Sequence, residues 1–178
     1  MDRCDSCRFV YADVEAPAIP VWLTAFGTQY AALLLPPSRS AAWFDILRTR
    51  PEEGVWSALE YACHVRDVFL VQRDRLYIAL VEDTPTFTPM YRDQRVTLAC
   101  YNAQDPEEVA TQLGTAARLI AQAFDVLDSA QLQRRCIYTF PAPTERSLLW
   151  VGQHAIHEGE HHFRDIERGI ARVRATAG

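Results

Sequence analysis

The spacing of apolar residues constrains the fold of this chain more than any other feature. Along four long stretches they recur every three or four positions, and proline-containing segments lie between the stretches. Such spacing puts the apolar side chains on one face of an α-helix. We therefore predict long helices over residues 20–35, 57–81, 105–127 and 146–174, and a shorter one over 40–48.

Local signals mark the ends of these helices. Pro36 follows the first stretch directly, and proline disfavours helical backbone at the residue before it. Ser57 and Glu60 have the spacing of a capping box, in which each side chain accepts a hydrogen bond from the other residue's backbone amide. Asp105 followed by Pro106 is typical of a helix start. These signals predict sharp boundaries for three of the long helices.

The remaining segments are predicted to connect the helices. Residues 83–102, which include Pro85 and Pro89, indicate a long irregular connection, and residues 134–144 a loop or a short extended segment. We therefore predict an all-α fold, a four-helix bundle with one long crossover connection and almost no β-strand.

Length and composition indicate one globular domain. The chain has 178 residues, 49% hydrophobic and 23% charged, so we expect a single domain over residues 1–178, with residues 1–15 as an N-terminal segment. The net charge of −5 argues against a nucleic-acid partner. No apolar run is long enough for a membrane span, and the N-terminus lacks the apolar core of a signal peptide. The expected location is the cytoplasm, and the expected partner a small-molecule substrate.

The five cysteines do not suggest a disulfide framework, because their number is odd and no secretion signal is seen. Cys4 and Cys7 form a CxxC pair. Such a pair is typical of half a zinc knuckle or of a redox pair, and it also occurs as two reduced thiols with no partner. No second CxxC is present, so a four-cysteine site within one chain is not expected. Cys63 and Cys136 are predicted to be small buried residues rather than nucleophiles.

The histidines indicate a metal site. Four of the five lie within residues 154–162, and the fifth, His64, lies in the second predicted long helix. Neutral imidazole is the commonest protein ligand for transition metals. Two ligands four residues apart share one face of a helix. A third ligand from a distant helix would complete a three-ligand site with open positions, as in catalytic metal centres.

Two ligand pairs in the last helix fit this spacing. His157 and His161 lie in the string His-Glu-Gly-Glu-His, which matches the HExxH of zinc proteases. Glu158 and His162 have the same spacing. On a helical wheel His162 lies roughly 90° from the centre of the apolar stripe, Glu158 and His157 roughly 130°, and His161 roughly 170°. Small residues on the flank of His162 widen the buried arc on that side. The wheel favours the second pair without excluding the first.

The order of these motifs resembles the DinB-like (DinB/YfiT) superfamily of metal-binding four-helix bundles. The resemblance rests on Trp56-Ser-x-x-Glu-Tyr-x-x-His64 and on the paired ligands of the last helix. It implies a divalent metal, often zinc or nickel, held by one histidine of the second long helix and two ligands of the last. In that family the last ligand typically has Ile or Leu four residues after it, and Ile166 follows His162 at that distance. The implied ligands are His64, Glu158 and His162, and the pair His157 and His161 stays open as the alternative.

The resemblance also implies a function. A glutamate as the first last-helix ligand resembles the mycothiol-dependent maleylpyruvate isomerase branch, so we expect a metal-dependent enzyme, an S-transferase or isomerase, with a low-molecular-weight thiol as cosubstrate. Arg66 and Arg164 are candidates for binding a substrate carboxylate. One alternative is a non-catalytic, metal-stabilised dimeric bundle that serves in binding or stress response, and another is an HExxH metalloprotease. A homodimer is the assembly we expect.

Overall fold

The computed structural model describes residues 3–176, and it confirms the predicted all-α four-helix bundle. Its seven α-helices are α1 (Ala18–Leu34), α2 (Ala41–Arg48), α3 (Ala58–Val81), α4 (Arg92–Leu98), α5 (Pro106–Asp125), α6 (Ser129–Leu132) and α7 (Leu148–Thr176). The long helices α1, α3, α5 and α7 form the bundle. None of the described helices is long and apolar enough to cross a membrane.

The helices are not arranged in chain order around the bundle. Helix α1 packs against α5 and α7, and α3 packs against the same two helices. The chain therefore passes diagonally from α1 to α3 and again from α5 to α7, whereas α3 and α5 are neighbours. This order places α3 beside α7, and those two helices carry all five histidines.

The capping signals act as predicted. The Ser57 hydroxyl accepts a hydrogen bond from the Glu60 amide, and the Glu60 carboxylate accepts one from the Ser57 amide at 2.7 Å. The Asp105 carboxylate accepts from the amides of Glu107 and Glu108 at the start of α5. Because the capping box fixes the residue at which α3 begins, it also fixes the position of His64 in the second turn of the helix, where the side chain faces the core.

The predicted connections contain more structure than expected. Residues 82–105 include α4, and Val96 of that helix is buried. Strands β1 (Arg135–Tyr138) and β2 (Thr144–Ser147) form an antiparallel pair. Cys136 and Tyr138 alternate as buried residues along β1. Tertiary burial of these few side chains stabilises elements that are too short to show a clear period in the sequence.

The apolar stripe of α7 packs against α1, and at Gly152 it also meets Phe124 of α5. Two glycines of the stripe have no room for a side chain, because a Cβ on Gly159 would lie 2.7 Å from the Phe26 ring and one on Gly152 would lie 2.8 Å from the Ile19 side chain. The Tyr30 hydroxyl donates a hydrogen bond to the Gly159 carbonyl at 2.7 Å. This close approach of α1 fixes the rotation of α7 about its axis, and with it the direction of every histidine on the helix.

Candidate metal centre

The structure brings His64, Glu158 and His162 together between α3 and α7. The Nε2 atoms of His64 and His162 each lie 3.5 Å from Oε2 of Glu158. One potential ligand atom from each of the three residues lies within 4.8 Å of the others. The two histidines are almost fully buried, and the glutamate is partly buried.

The geometry of this cluster fits a metal better than it fits direct hydrogen bonding. A separation of 3.5 Å is long for a hydrogen bond between a ring nitrogen and a carboxylate. Two ligands bound tetrahedrally to one ion at zinc distances lie about 3.3 Å apart. Both ring nitrogens of His64 are buried without a hydrogen-bond partner in the described chain. Buried polar atoms are normally paired, so the unpaired nitrogens of His64 indicate a ligand between these side chains.

Asp165 orients one of the candidate ligands. Its Oδ2 atom lies 2.8 Å from Nδ1 of His162, which leaves Nε2 of that ring directed at Glu158. A carboxylate behind a histidine ligand is a common arrangement at metal sites, where it fixes the tautomer and the ring orientation. Burial lowers the pKa of His162, but its contacts with Asp165 and Glu158 outweigh burial and raise the pKa to about 9.

The other two groups have the protonation states that metal ligands require. Burial raises the pKa of Glu158, but its contacts with His157, His162 and His64 hold that pKa well below its usual value, so the carboxylate is ionised. Burial lowers the pKa of His64 and keeps the ring neutral. An ionised carboxylate and a neutral imidazole both offer lone pairs to a cation.

His64 and Glu158 also line a pocket with a volume of about 250 Å³. Its other walls come from α3, from the start of α4 and the residues before it, from the end of β1 and the residues after it, and from α7: Val68, Gln72, Arg75, Pro89, Met90, Tyr91, Arg92, Asp93, Gln94, Tyr138, Thr139, Phe140 and His154. The candidate metal position is therefore next to a space that a small molecule can enter.

Arg75 is the most unusual residue of this pocket. Its side chain is buried, and the hydrogen-bond acceptors that surround it in the described chain are neutral: the Gln72 side chain, the Tyr138 hydroxyl and the Thr88 carbonyl. A buried guanidinium without a carboxylate partner is costly unless an anion binds to it.

The two arginines predicted to bind substrate lie elsewhere. Arg66 donates hydrogen bonds to Asp67, Gln104 and Gln112. Arg164 donates one to the Cys7 carbonyl at 2.7 Å. Neither residue lines the pocket beside His64.

The alternative ligand pair, His157 and His161, does not face His64. Both side chains lie beside Cys4 and Cys7 of the N-terminal segment, and one potential ligand atom from each of these four residues lies within 4.8 Å of the others. Burial raises the pKa of the Cys4 thiol, but hydrogen bonding to the Cys7 amide and the nearby His157 lower it more, to about 7. The two ligand pairs of α7 thus belong to two separate clusters.

The sequence analysis gave no individual role at the site to Arg75, His154 or Asp165. Arg75 lies eleven residues after His64, about three helical turns, so the same face of α3 carries both. His154 precedes Glu158 by four residues. Asp165 follows His162 by three residues, a spacing that allows contact on a helix. These spacings were visible in the sequence, but only the structure shows that the pocket lies on that face.

Comparison with known proteins agrees with this architecture. The model of the DinB superfamily matches residues 45–166. The chain superposes on a solved structure of YfiT from Bacillus subtilis with a TM-score of 0.75 at 17% sequence identity, and the superposition covers 88% of this chain and 86% of that one. That protein is described as a probable metal-dependent hydrolase with an unusual four-helix bundle topology. No curated protein sequence matches the chain. Since the family match spans more than half of its length, the chain belongs to the DinB superfamily.

Proposed function

We propose that this protein is a metal-dependent enzyme of the S-transferase or isomerase class, with a low-molecular-weight thiol as cosubstrate. His64, Glu158 and His162 would hold one divalent ion, zinc or nickel. Three protein ligands leave a coordination position for an exogenous molecule, as in catalytic zinc sites. We further propose that the substrate is a small molecule, that the enzyme works in the cytoplasm, and that it forms a homodimer.

The observation that carries the proposal is the pocket shared by two candidate ligands and Arg75. The guanidinium has only neutral acceptors around it, so a carboxylate entering the pocket would supply the missing opposite charge. Low-molecular-weight thiols such as glutathione, and organic acids such as maleylpyruvate, carry carboxylates. Arg75 would bind such a group and hold the reacting end of the molecule near His64 and Glu158.

The chemistry follows from the donor set. A free alkyl thiol with a pKa of ~8.5 is only a few per cent ionised at neutral pH. A divalent cation at the three ligands would lower the pKa of a thiol bound there. The protein's own contribution is to orient His162 through Asp165, to keep His64 neutral by burial and to position the substrate carboxylate at Arg75. Cys63 and Cys136 are buried away from these ligands, with thiol pKa values that burial raises to about 12 and about 11.

The alternatives differ in what they predict. A non-catalytic metal-stabilised bundle would bind the metal and show no thiol-dependent turnover. A metalloprotease would need His157 and His161 to form an open metal site, and in this structure both rings face Cys4 and Cys7 instead.

The test is turnover by the metal-loaded protein with glutathione, bacillithiol or mycothiol and either maleylpyruvate or chlorodinitrobenzene as the electrophile. Activity should require added thiol, disappear with chelator and return with zinc or nickel. Arg75→Gln should raise the KM for the carboxylate-bearing substrate about tenfold or more, since a charge-assisted contact is lost. Arg118→Gln, which removes an exposed arginine outside the pocket, is the matched control. Metal binding without turnover for any of these thiols would support the binding protein instead.

A further inference from the structure

The N-terminal segment and the outer side of α7 form a second cluster of metal-ligating side chains. It consists of Cys4, Cys7, His157 and His161, and it shares no residue with the His64 cluster. We propose that these four residues bind a structural zinc ion that fastens the N-terminal segment to α7.

The donor set is that of a closed zinc site. Two thiolates and two neutral imidazoles match the Cys₂His₂ composition of structural zinc centres, with a C-x₂-C pair and two histidines four residues apart. The thiolates select zinc over magnesium or calcium. The two negative sulfurs balance the charge of the ion, which makes the complete site neutral and suited to burial. Four protein ligands leave no position for a substrate, so this centre is structural rather than catalytic.

The distances agree with one shared ion. The Sγ atom of Cys4 lies 3.6 Å from Nδ1 of His161. A sulfur and a nitrogen bound tetrahedrally to zinc at ordinary bond lengths are separated by about 3.6 Å. Cys4, Cys7 and His157 are all at least nine-tenths buried, with exposed fractions of 9%, 5% and 7%.

His157 provides an independent indication of a ligand. Both of its ring nitrogens are buried and have no hydrogen-bond partner of normal geometry in the described chain. Its Nδ1 atom lies 3.4 Å from Oε1 of Glu158. A buried imidazole rarely lacks hydrogen-bond partners unless it binds a ligand such as a metal ion. A zinc ion among the two sulfurs and His161 would supply that partner.

The backbone around the cysteines holds both sulfurs on one side. Arg3 and Val10 form an antiparallel bridge, the Cys4 amide donates to the Phe9 carbonyl at 2.9 Å, and the Arg8 amide donates to the Cys4 carbonyl at 2.8 Å. Arg8 closes this turn in the left-handed region with φ of 63°. A non-glycine residue seldom adopts that conformation, so the tight turn is specified by its surroundings.

Asp165 also lies next to a histidine of this second cluster. Nε2 of His161 lies 3.4 Å from Oδ2 of Asp165, which is longer than a normal hydrogen bond, and Nδ1 of the same ring faces Cys4. Asp165 thus contacts one histidine of each cluster, His161 and His162.

Fastening the segment to α7 has a structural consequence near the pocket. The Tyr11 hydroxyl lies 3.0 Å from Nδ1 of His154, which lines the pocket. The Gln153 side chain donates to the Val14 carbonyl at 2.9 Å, and Arg164 donates to the Cys7 carbonyl. Zinc at Cys4 and Cys7 would hold the start of this segment in place, so that Tyr11 and Val14 keep these contacts.

Cobalt(II) substitution of the full-length protein tests the proposal. A cobalt ion bound by thiolates gives a charge-transfer band in the near ultraviolet and intense visible absorption in tetrahedral coordination. We expect both in the wild type and in His64→Ala, because the His64 centre has no sulfur ligand. The charge-transfer band should disappear in Cys4→Ser/Cys7→Ser, whose remaining visible absorption would come from the His64 centre, and this variant should retain one zinc fewer per chain than the wild type. Cys100→Ser, which changes an exposed cysteine outside the cluster, should behave as the wild type.

The wild-type spectrum decides the matter even if the double variant does not fold. A cobalt-saturated wild type without a thiolate band would overturn the proposal. So would a thiolate band that survives in a folded Cys4→Ser/Cys7→Ser variant, since another cysteine would then be the ligand. Far-ultraviolet circular dichroism establishes whether each variant has folded.

Discussion

Replacing Gly159 by alanine tests whether α1 and α7 are packed too closely for a side chain at this position. A Cβ at this position would lie 2.7 Å from Cε2 of Phe26, whereas ordinary contacts begin at 3.4 Å. The Phe26 ring is 4% exposed and packs against Tyr30 and Phe69. To relieve the clash, α7 must move by roughly 0.7 Å or the ring must leave its rotamer.

The expected size follows from two opposing terms. Alanine in place of glycine within a helix gains about 1 kcal/mol. Overpacking a rigid core costs about 1–3 kcal/mol. The upper end applies here because the new methyl group would clash with a buried aromatic ring rather than with the end of a flexible side chain. Gly159→Ala should therefore destabilise the protein by about 2 kcal/mol, which for a chain of 178 residues lowers Tm by roughly 4–8 °C.

Gly169→Ala in the same helix is the matched control. Its Cβ would meet only Pro51, at 3.8 Å, so the helix-propensity gain should remain and Tm should rise by roughly 1–4 °C. The assay is differential scanning calorimetry of the two variants and the wild type at the same metal content. If Gly159→Ala were as stable as Gly169→Ala, or more stable, the packing argument would be refuted.

Three further predictions concern the metal ligands and their support. The zinc affinity of the His64 centre should rise about tenfold per pH unit between pH 6 and 8, because His162, with a pKa of about 9, must lose its proton to bind the metal. The affinity is measured by competition with a chromophoric chelator in the Cys4→Ser/Cys7→Ser variant. An affinity that does not change with pH would contradict this prediction. Asp165→Asn should weaken the same affinity by about 10–100-fold, and unchanged affinity would show that the carboxylate does not orient His162. Tyr30→Phe should cost about 1 kcal/mol in urea unfolding without altering metal content, since it removes only the bond to the Gly159 carbonyl.

The sequence predicted most of the bundle because helix formation is governed by local spacing and capping. The capping box of Ser57 and Glu60 lies where expected, and α1, α3, α5 and α7 begin and end within a few residues of the predicted bounds. It did not predict α4 or α6, and over residues 134–144, where β1 lies, it predicted only a loop or a short extended segment without a partner strand. Helix α4 and strand β1 form because Val96 and Cys136 are buried by residues distant in the chain, and a single short segment carries no periodic signal of such burial.

The sequence likewise predicted one part of the candidate site and could not predict the other. Spacing alone identified both ligand pairs of α7, Glu158 with His162 and His157 with His161, because residues four apart share a face of any helix. A helical wheel gives the angle between two side chains on one helix, but not which neighbour each side faces. Packing of α3 against one flank directs Glu158 and His162 to His64, and the N-terminal segment on the other flank directs His157 and His161 to Cys4 and Cys7.

The sequence by itself therefore determined the helices, their caps and the side chains able to bind metal. The tertiary structure decided how those side chains are grouped, that Arg75 lies in the pocket, and that Asp165 contacts a histidine of each cluster. The physical reason is the range of the interactions. Helix geometry is set by neighbours within a few residues, whereas Cys4 and His161 meet across 157 positions of the chain, a contact that only the folded arrangement of the helices can specify.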